Sequence, residues 1–222
     1  MSNSSSLLIR HLGIQDYEPT WRAMQAFTQH RDETTTDEIW LLQHPAVYTL
    51  GLNGKRQHVL VKNAIPIIDV DRGGQVTYHG PGQLVAYTLI DLNRKHLGVR
   101  DLVVRIEQTV IDLLAELGIP AERKVNAPGV YVHGEKIAAL GLRIKKNRSY
   151  HGLSLNIDMD LSPFSAINPC GYTDLSVTQL HSLLNKAPDF TAISQQLVTH
   201  LCRQLQYNDV QHSGDLPVYF KG

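Results

Sequence analysis

The sequence predicts an α+β fold, a mixed sheet with helices laid on it. Strand-like segments adjoin one another and are joined by hairpin-type turns. Only a few stretches repeat apolar residues at helical spacing. The strict strand–helix alternation of a doubly wound nucleotide fold is missing. Residues 1–6 are short and polar and read as a tail. Leu7–Leu12 reads as the first strand. Asp16–His30 reads as a helix, with Tyr17, Trp21, Met24 and Phe27 on one face and Asp16 placed to cap it. Ile39–Leu42, Ile65–Val70 and Leu84–Leu92 read as buried strands.

The clearest helix spans about Asp101–Leu117. Val103, Ile106, Val110, Leu113 and Leu117 recur at helical spacing, and Gly118 ends it. Three β segments follow: Gly129–Val132, Ile137–Ile144 and His151–Ile157. The first two are joined by a turn at His133-Gly134-Glu135-Lys136. Leu161–Thr173, which holds Pro163 and Pro169, reads as irregular. Ser176 with Gln179 resembles a capping box for a short helix through Leu184. A last helix, from about Thr191 to Leu205, carries Ile193, Leu197, Leu201 and Leu205 on one stripe. The reading is one catalytic domain over residues 1–222, with 1–6 and about 207–222 as peripheral tails.

Composition narrows the function classes. The chain has 222 residues, with 21 basic and 21 acidic side chains and a net charge of +0, so the basic excess of a nucleic-acid binder is absent. No apolar run approaches the roughly 20 residues that span a bilayer, and no signal peptide is seen. The two cysteines form neither a C-x-x-C pair nor a zinc pattern. A cytoplasmic protein without metal, cofactor, membrane or nucleic-acid partner is expected.

Three features can carry chemistry. Cys170 sits in Ile167-Asn168-Pro169-Cys170-Gly171, where proline and glycine disfavour a helix interior. A cysteine there can serve as a thiolate nucleophile; a free cysteine is more often a small buried hydrophobe. Cys202 falls in the last helix beside the apolar stripe and reads as packing. Lys136 closes the hairpin turn. It reads either as a solvated turn residue or as a partly desolvated lysine able to act as base or ion-pair partner. The segment Asp71-Arg72-Gly73-Gly74-Gln75-Val76-Thr77-Tyr78-His79-Gly80-Pro81-Gly82-Gln83 is dense in glycine and can bring backbone close to a ligand. It matches neither a Walker A loop nor a G-x-G-x-x-G fingerprint. Its plainer reading is two tight turns around a short strand. His79 and His151 lack a metal-binding spacing and read as hydrogen-bonded structural residues.

Taken together, these stretches resemble the lipoyl(octanoyl) transferases, also called lipoate-protein ligase B. The matching segments are Arg72 to His79 with Gly80-Pro-Gly-Gln83, Pro128-Gly-Val-Tyr131, Lys136-Ile-Ala-Ala-Leu-Gly-Leu-Arg143, His151-Gly-Leu-Ser-Leu-Asn156 and Asn168-Pro-Cys-Gly171. They occur in the family's order, and the similarity runs from about Leu7 to Leu205. The resemblance implies a fold shared with biotin and lipoate protein ligases, a mixed sheet with helices plus a smaller sheet. It implies octanoyl transfer from octanoyl-acyl-carrier protein to lipoyl domains of 2-oxoacid dehydrogenases or to the glycine-cleavage H protein, with lipoyl synthase acting downstream. It carries over Cys170 as the acyl-thioester nucleophile and Lys136 as the residue that tunes it. Substrate contacts map onto Arg72, Gly73, Gly74, Gln75, Val76, Thr77, Tyr78 and His79, onto Ala139, Leu140 and Gly141, and onto Gly152, Leu153 and Ser154. Ala139 and Ser154 stand where small residues are usual. The competing readings are an ATP-dependent lipoate or biotin ligase, which needs no cysteine, and a non-catalytic acyl-carrier binding module. Transfer without ATP separates the first, and a covalent mass gain on Cys170 the second.

Overall fold

A computed structural model describes residues 6–169 and 175–220. In chain order it contains β1 (Ser6–Ile14), α1 (Tyr17–His30), β2 (Asp37–Gln43), β3 (Val47–Leu50), β4 (Ile67–Asp69), β5 (Val76–His79), β6 (Gln83–Leu89), α2 (Val99–Glu116), β7 (Glu122–Lys124), β8 (Ala127–Val132), β9 (Glu135–Lys145), β10 (Arg148–Asn156), α3 (Leu180–Leu183), α4 (Phe190–Leu205) and β11 (Asp209–Ser213). Single 3₁₀ turns form at Arg56–His58 and Ser162–Ala166. The strands make an eight-stranded mixed sheet, ordered β11-β1-β2-β6-β10-β9-β8-β7, and a three-stranded sheet, ordered β4-β3-β5. The expected architecture, a large mixed sheet with helices plus a smaller sheet, is the one observed.

Helices cover the large sheet on both faces. On one face, Ile106, Val110 and Leu113 of α2 and Leu197 and Leu201 of α4 share a core with Ile39, Leu41, Leu84 and Leu153. On the other, Trp21, Met24 and Phe27 of α1 pack with Trp40, Leu42, Val85 and Tyr87. Consecutive residues of β2 therefore serve opposite cores, as the two-residue period of a strand requires. This is why Ile39–Leu42 reads as an unbroken apolar run.

Several local expectations need correction. Asp16 occupies the N-cap position of α1, but its side chain caps nothing. Ser176 opens no helix: α3 begins after Gln179, whose side chain accepts from the Met159 N–H at 2.7 Å. The hairpin turn is confined to His133 and Gly134, both at positive φ, because Val132 already pairs with Glu135. Lys136 is thus a strand residue opposite Tyr131, and it is buried. The tail expected beyond residue 207 contributes β11, which pairs parallel to β1 at the sheet edge. It is anchored by buried Tyr207, whose hydroxyl donates to Asp37 at 2.6 Å, where Arg31 also binds at 2.5 Å. β3, β7 and β11 are strands that the sequence reading does not contain. Among the described residues, no helix is long and apolar enough to cross a membrane.

Candidate active site

Register assembles the site. The antiparallel ladder between β9 and β10 sets Ala139 opposite Ser154, Leu140 opposite Leu153 and Gly141 opposite Gly152. Two triplets distant in sequence become cross-strand partners. The small sheet closes over them. Gly73 N–H donates to the Leu142 carbonyl at 2.9 Å, which ties the glycine-rich segment to β9. The resulting cleft is open to solvent, and about 490 Å³ of atom-free space, outside solvent included, lies between its walls. Its walls are Arg72, Gly74, Gln75, Val76, Thr77 and His79, then Ala139–Gly141 and His151–Ser154, with Tyr17, Val85 and Tyr87 behind them.

Two expected substrate residues lie elsewhere. Gly73 faces an outer groove beside Val99, Val103 and Pro128. Tyr78 points to the opposite face of β5 from Thr77 and His79, as strand alternation dictates. Its ring packs against Tyr48 and Phe164, with centroids 5.6 and 5.5 Å away. Arg72 is buried, and its guanidinium builds the wall: it donates to the Thr49 carbonyl at 2.7 Å, to the Gln75 carbonyl at 2.8 Å and to the Gly73 carbonyl at 3.0 Å. Gly152 leaves no room for a side chain, since a Cβ there would stand 2.0 Å from the Ala86 carbonyl oxygen. Only glycine lets β10 approach β6 at this point.

A second, smaller cavity adjoins the cleft. Thr77, Ala139 and Ser154 line both. Lys136, Ile137, Ala138, Gln83, Asn156, Phe164, Pro169 and Val177 complete it. Lys136 Nζ donates to the Pro128 carbonyl at 3.0 Å and lies 5.2 Å from the centre of the Tyr131 ring. Its backbone is strapped to the segment that follows residues 170–174: Lys136 N–H donates to the Ser176 carbonyl, and Thr178 N–H donates to the Lys136 carbonyl. On the other side, Asn168 N–H donates to the His58 carbonyl at 2.8 Å. Cys170 itself lies outside the described residues.

A buried polar chain links the two cavities. His79 Nδ1 meets Gln83 Oε1 at 2.7 Å, Gln83 Nε2 donates to Asn156 Oδ1 at 2.9 Å, and Asn156 Nδ2 donates to the Thr178 carbonyl at 2.9 Å. Because the Gln83 amide nitrogen is committed to Asn156, its oxygen accepts and His79 Nδ1 carries the proton. The sequence suggests no site role for Tyr17, His44, Val85 or Tyr87. They come from α1, the β2–β3 connection and β6, and only burial around the cleft gathers them.

The back of the cleft is rich in neutral histidine. Burial pushes His44 down to about 4, with a bond to the Gln15 carbonyl opposing part of the shift. Burial also holds His79 well below its ordinary value, with the neighbouring His44 adding to the effect. His151 is lowered by burial, and Asp71 partly offsets this. Burial would raise the Asp71 carboxyl, but hydrogen bonds from His151, Tyr150, Gln25 and Trp21 outweigh it and hold the carboxyl below the usual range. Burial raises the Tyr17 hydroxyl to about 12, so it stays protonated. His151 also adopts a left-handed backbone, φ 59°, inside a strand. Such strain in a non-glycine residue persists only where packing imposes it.

These shifts predict acid sensitivity. A histidine whose folded pKa is depressed binds fewer protons folded than unfolded. Its stabilisation is complete above the unfolded pKa of about 6.5 and is lost as pH falls towards the folded value. For His44 the loss by pH 4 is about 3 kcal/mol. The thermal midpoint is expected to be level from pH 8 to 7 and to fall steadily between 6.5 and 4, with a shallower slope in His44→Gln. A midpoint constant over that window contradicts the reading.

A cleft between two sheets, adjoining a chamber that holds a buried lysine, belongs here to a catalytic domain of the lipoate-ligase type. The fold superposes on lipoate-protein ligase A bound with ATP at a TM-score of 0.76, covering 96% of this chain and 88% of that one at 14% identity. The model of the lipoyl protein ligase A/B catalytic domain matches residues 16–202. The chain is 64% identical over 176 residues to an octanoyltransferase of Chromobacterium violaceum, covering 79% of this chain and 85% of that protein. It is 60% identical over 193 residues to an octanoyltransferase of Laribacter hongkongensis, covering 87% and 93%. The chain belongs to the octanoyltransferases of the lipoyl protein ligase A/B family. Among the described residues, no group of three histidine, cysteine or acidic side chains is placed to hold a metal ion.

Proposed function

We propose that this enzyme moves an octanoyl group in two steps, with Cys170 as the nucleophile and Lys136 as the proton carrier. The donor is octanoyl-acyl-carrier protein. The acceptor is a lysine of the lipoyl domains of 2-oxoacid dehydrogenases or of the glycine-cleavage H protein, whose octanoyl product lipoyl synthase then modifies. The observation that carries the reading is the junction of the two cavities at Thr77, Ala139 and Ser154. These three residues form a common wall between the cleft and a chamber lined by Lys136 and by Pro169, the residue bonded to Cys170.

In the first step the Cys170 sulfur, giving its proton to Lys136, attacks the carrier thioester carbonyl. The tetrahedral oxyanion collapses and expels the carrier thiolate, which recovers a proton. One thioester replaces another, so the step is nearly balanced. In the second step the acceptor amine attacks the Cys170 thioester, loses a proton to Lys136 and expels the Cys170 thiolate. Amide formation drives this step forward, and no ATP is consumed. The cleft walls bind the chain, and backbone N–H groups of the glycine-rich segments can stabilise the oxyanion.

The test is single-turnover transfer from octanoyl-acyl-carrier protein to a lipoyl domain in the absence of ATP and magnesium. Full conversion is expected; a strict ATP requirement with free octanoate as the substrate would assign the ligase chemistry instead.

The cleft walls predict chain-length selection. Ala139 and Ser154 are cross-strand partners that line the cleft with small side chains. Val76, Leu140 and Leu153 also border it, but Leu140 and Leu153 pack into the core under α2 and α4, and Val76 packs into the small-sheet core beside Tyr78. Each buried methylene is worth about 0.8 kcal/mol, or about fourfold in affinity. Ala139→Leu or Ser154→Leu is therefore expected to shift preference from eight carbons to six, with competition between hexanoyl and octanoyl carriers as the readout. An unchanged profile for both variants would place the acyl chain elsewhere.

A further inference from the structure

α2 carries a carboxylate that the chemistry above does not use. Glu107 is buried, 5% exposed, among the apolar residues that face the sheet. Its Oε1 accepts the Gly129 N–H at 2.9 Å, and its Oε2 lies 3.4 Å from Arg123 Nε. The carbonyl of Pro128 accepts from Lys136 Nζ at 3.0 Å. The Pro128 carbonyl and the Gly129 N–H belong to one peptide group. That single plane carries the carboxylate on one edge and the lysine on the other.

A peptide group is planar and conjugated. A carboxylate bound to its N–H draws the proton towards itself and raises the electron density on its oxygen, and linked hydrogen bonds strengthen one another in this way. The position also needs fixing. Gly129 has φ +138°, a region side chains rarely enter, and a Cβ there would stand 2.7 Å from the Ala138 carbonyl oxygen and 3.0 Å from Lys136 Cε. Glycine supplies the conformation and the room for the lysine stem, but it leaves the peptide free to rotate. Glu107 selects the orientation in which the carbonyl faces Lys136.

We propose that Glu107 is a positioning residue for acyl transfer, which acts on Lys136 through the Pro128–Gly129 peptide. The inference rests on the reading of Lys136 as the proton carrier. It predicts that the carboxylate sets both the location of Nζ and the ease with which Nζ holds a proton, without touching either substrate.

The experiment compares Glu107→Leu and Glu107→Gln with wild type, each also combined with Lys136→Met. Both half-reactions are followed in single turnover against pH, with the donor half-saturation and the thermal midpoint recorded. Glu107→Leu is expected to slow both steps roughly ten- to a hundredfold, the usual consequence of losing a charge-assisted hydrogen bond, and to leave donor half-saturation unchanged. Glu107→Gln keeps an oxygen for the Gly129 N–H. It is expected to restore most of the rate while moving the pH midpoint of transfer downward, because the charge favouring a protonated lysine is gone. In the Lys136→Met background, Glu107→Leu is expected to cost nothing more. If Glu107→Leu folds poorly, the pH midpoint of Glu107→Gln decides: an unmoved midpoint overturns the inference. So does a wild-type rate in Glu107→Leu, or an equal proportional loss with and without Lys136. A slow Lys136→Met beside a normal Glu107→Leu overturns this inference alone. A normal Lys136→Met overturns the reading of Lys136 as well.

Discussion

Cys170→Ala is expected to abolish octanoyl transfer, lowering the single-turnover rate by roughly 10⁴-fold or more, the scale seen when a covalent nucleophile is removed. Cys202→Ala is expected to keep nearly full activity. Cys202 lies on α4, half-buried against the core formed with α2. Burial raises its thiol above the ordinary value, which reduces the thiolate that would attack a thioester. Cys170 follows Pro169 in sequence, and Pro169 lines the Lys136 chamber. Paired assays of the two variants with the octanoyl carrier check this. Full activity in Cys170→Ala would require a direct transfer with no covalent intermediate.

The second large effect falls on Lys136. Lys136→Met keeps an unbranched side chain to fill the space between Tyr131 and the Pro128 carbonyl but carries no exchangeable proton. Both half-reactions are expected to slow by about 10²- to 10⁴-fold, the usual share of general acid–base catalysis, while the thermal midpoint moves little. Lys136→Arg is expected to fail also. Arginine does not release its proton at working pH, and its planar fork does not fit where a Cβ on Gly129 would already crowd the lysine stem. Alkylation of Cys170 against pH separates the roles of charge and proton transfer. Retained alkylation in Lys136→Arg with lost transfer to the amine assigns an ion pair to the first step and a base to the second. A methionine variant with normal alkylation and transfer would leave the lysine without a catalytic role.

Much of this architecture is legible in the sequence because it rests on local periodicity. α1, α2 and α4 announce themselves by apolar residues at helical spacing, and β2, β9 and β10 by continuous or alternating apolar runs. Three strands escape such a reading for definite reasons. β7 (Glu122–Lys124) is three exposed charged residues. β11 (Asp209–Ser213) is largely polar because it forms an exposed sheet edge. β3 (Val47–Leu50) is four residues long and is stabilised by pairing with β4 and β5 rather than by its own pattern. Lys136 is misplaced for a different reason. Four turn-compatible residues precede Ile137, and only positive φ at His133 and Gly134 shows that two suffice to turn the chain.

The site follows the same division. Glycine content and motif order mark the segments 72–79, 139–141 and 152–154, but no local signal reveals that β9 and β10 pair them residue for residue. Tyr17, His44 and Tyr87 carry no motif at all. His44 Nε2 meets the Tyr87 hydroxyl at 2.6 Å across 43 residues of chain, a contact set by tertiary packing. Glu107 looks like one of many helical glutamates until the β8–β9 hairpin brings Gly129 to it.

Covalent capture tests the central claim most directly. The protein is incubated with octanoyl-acyl-carrier protein without acceptor, its intact mass is measured, and the modified peptide is mapped beside Cys170→Ser. A single octanoyl adduct on Cys170, absent from the serine variant as a thioester and discharged by added lipoyl domain, is the result expected here. An adduct confined to Cys202, or full transfer to the lipoyl domain with no adduct at any time point, would contradict it.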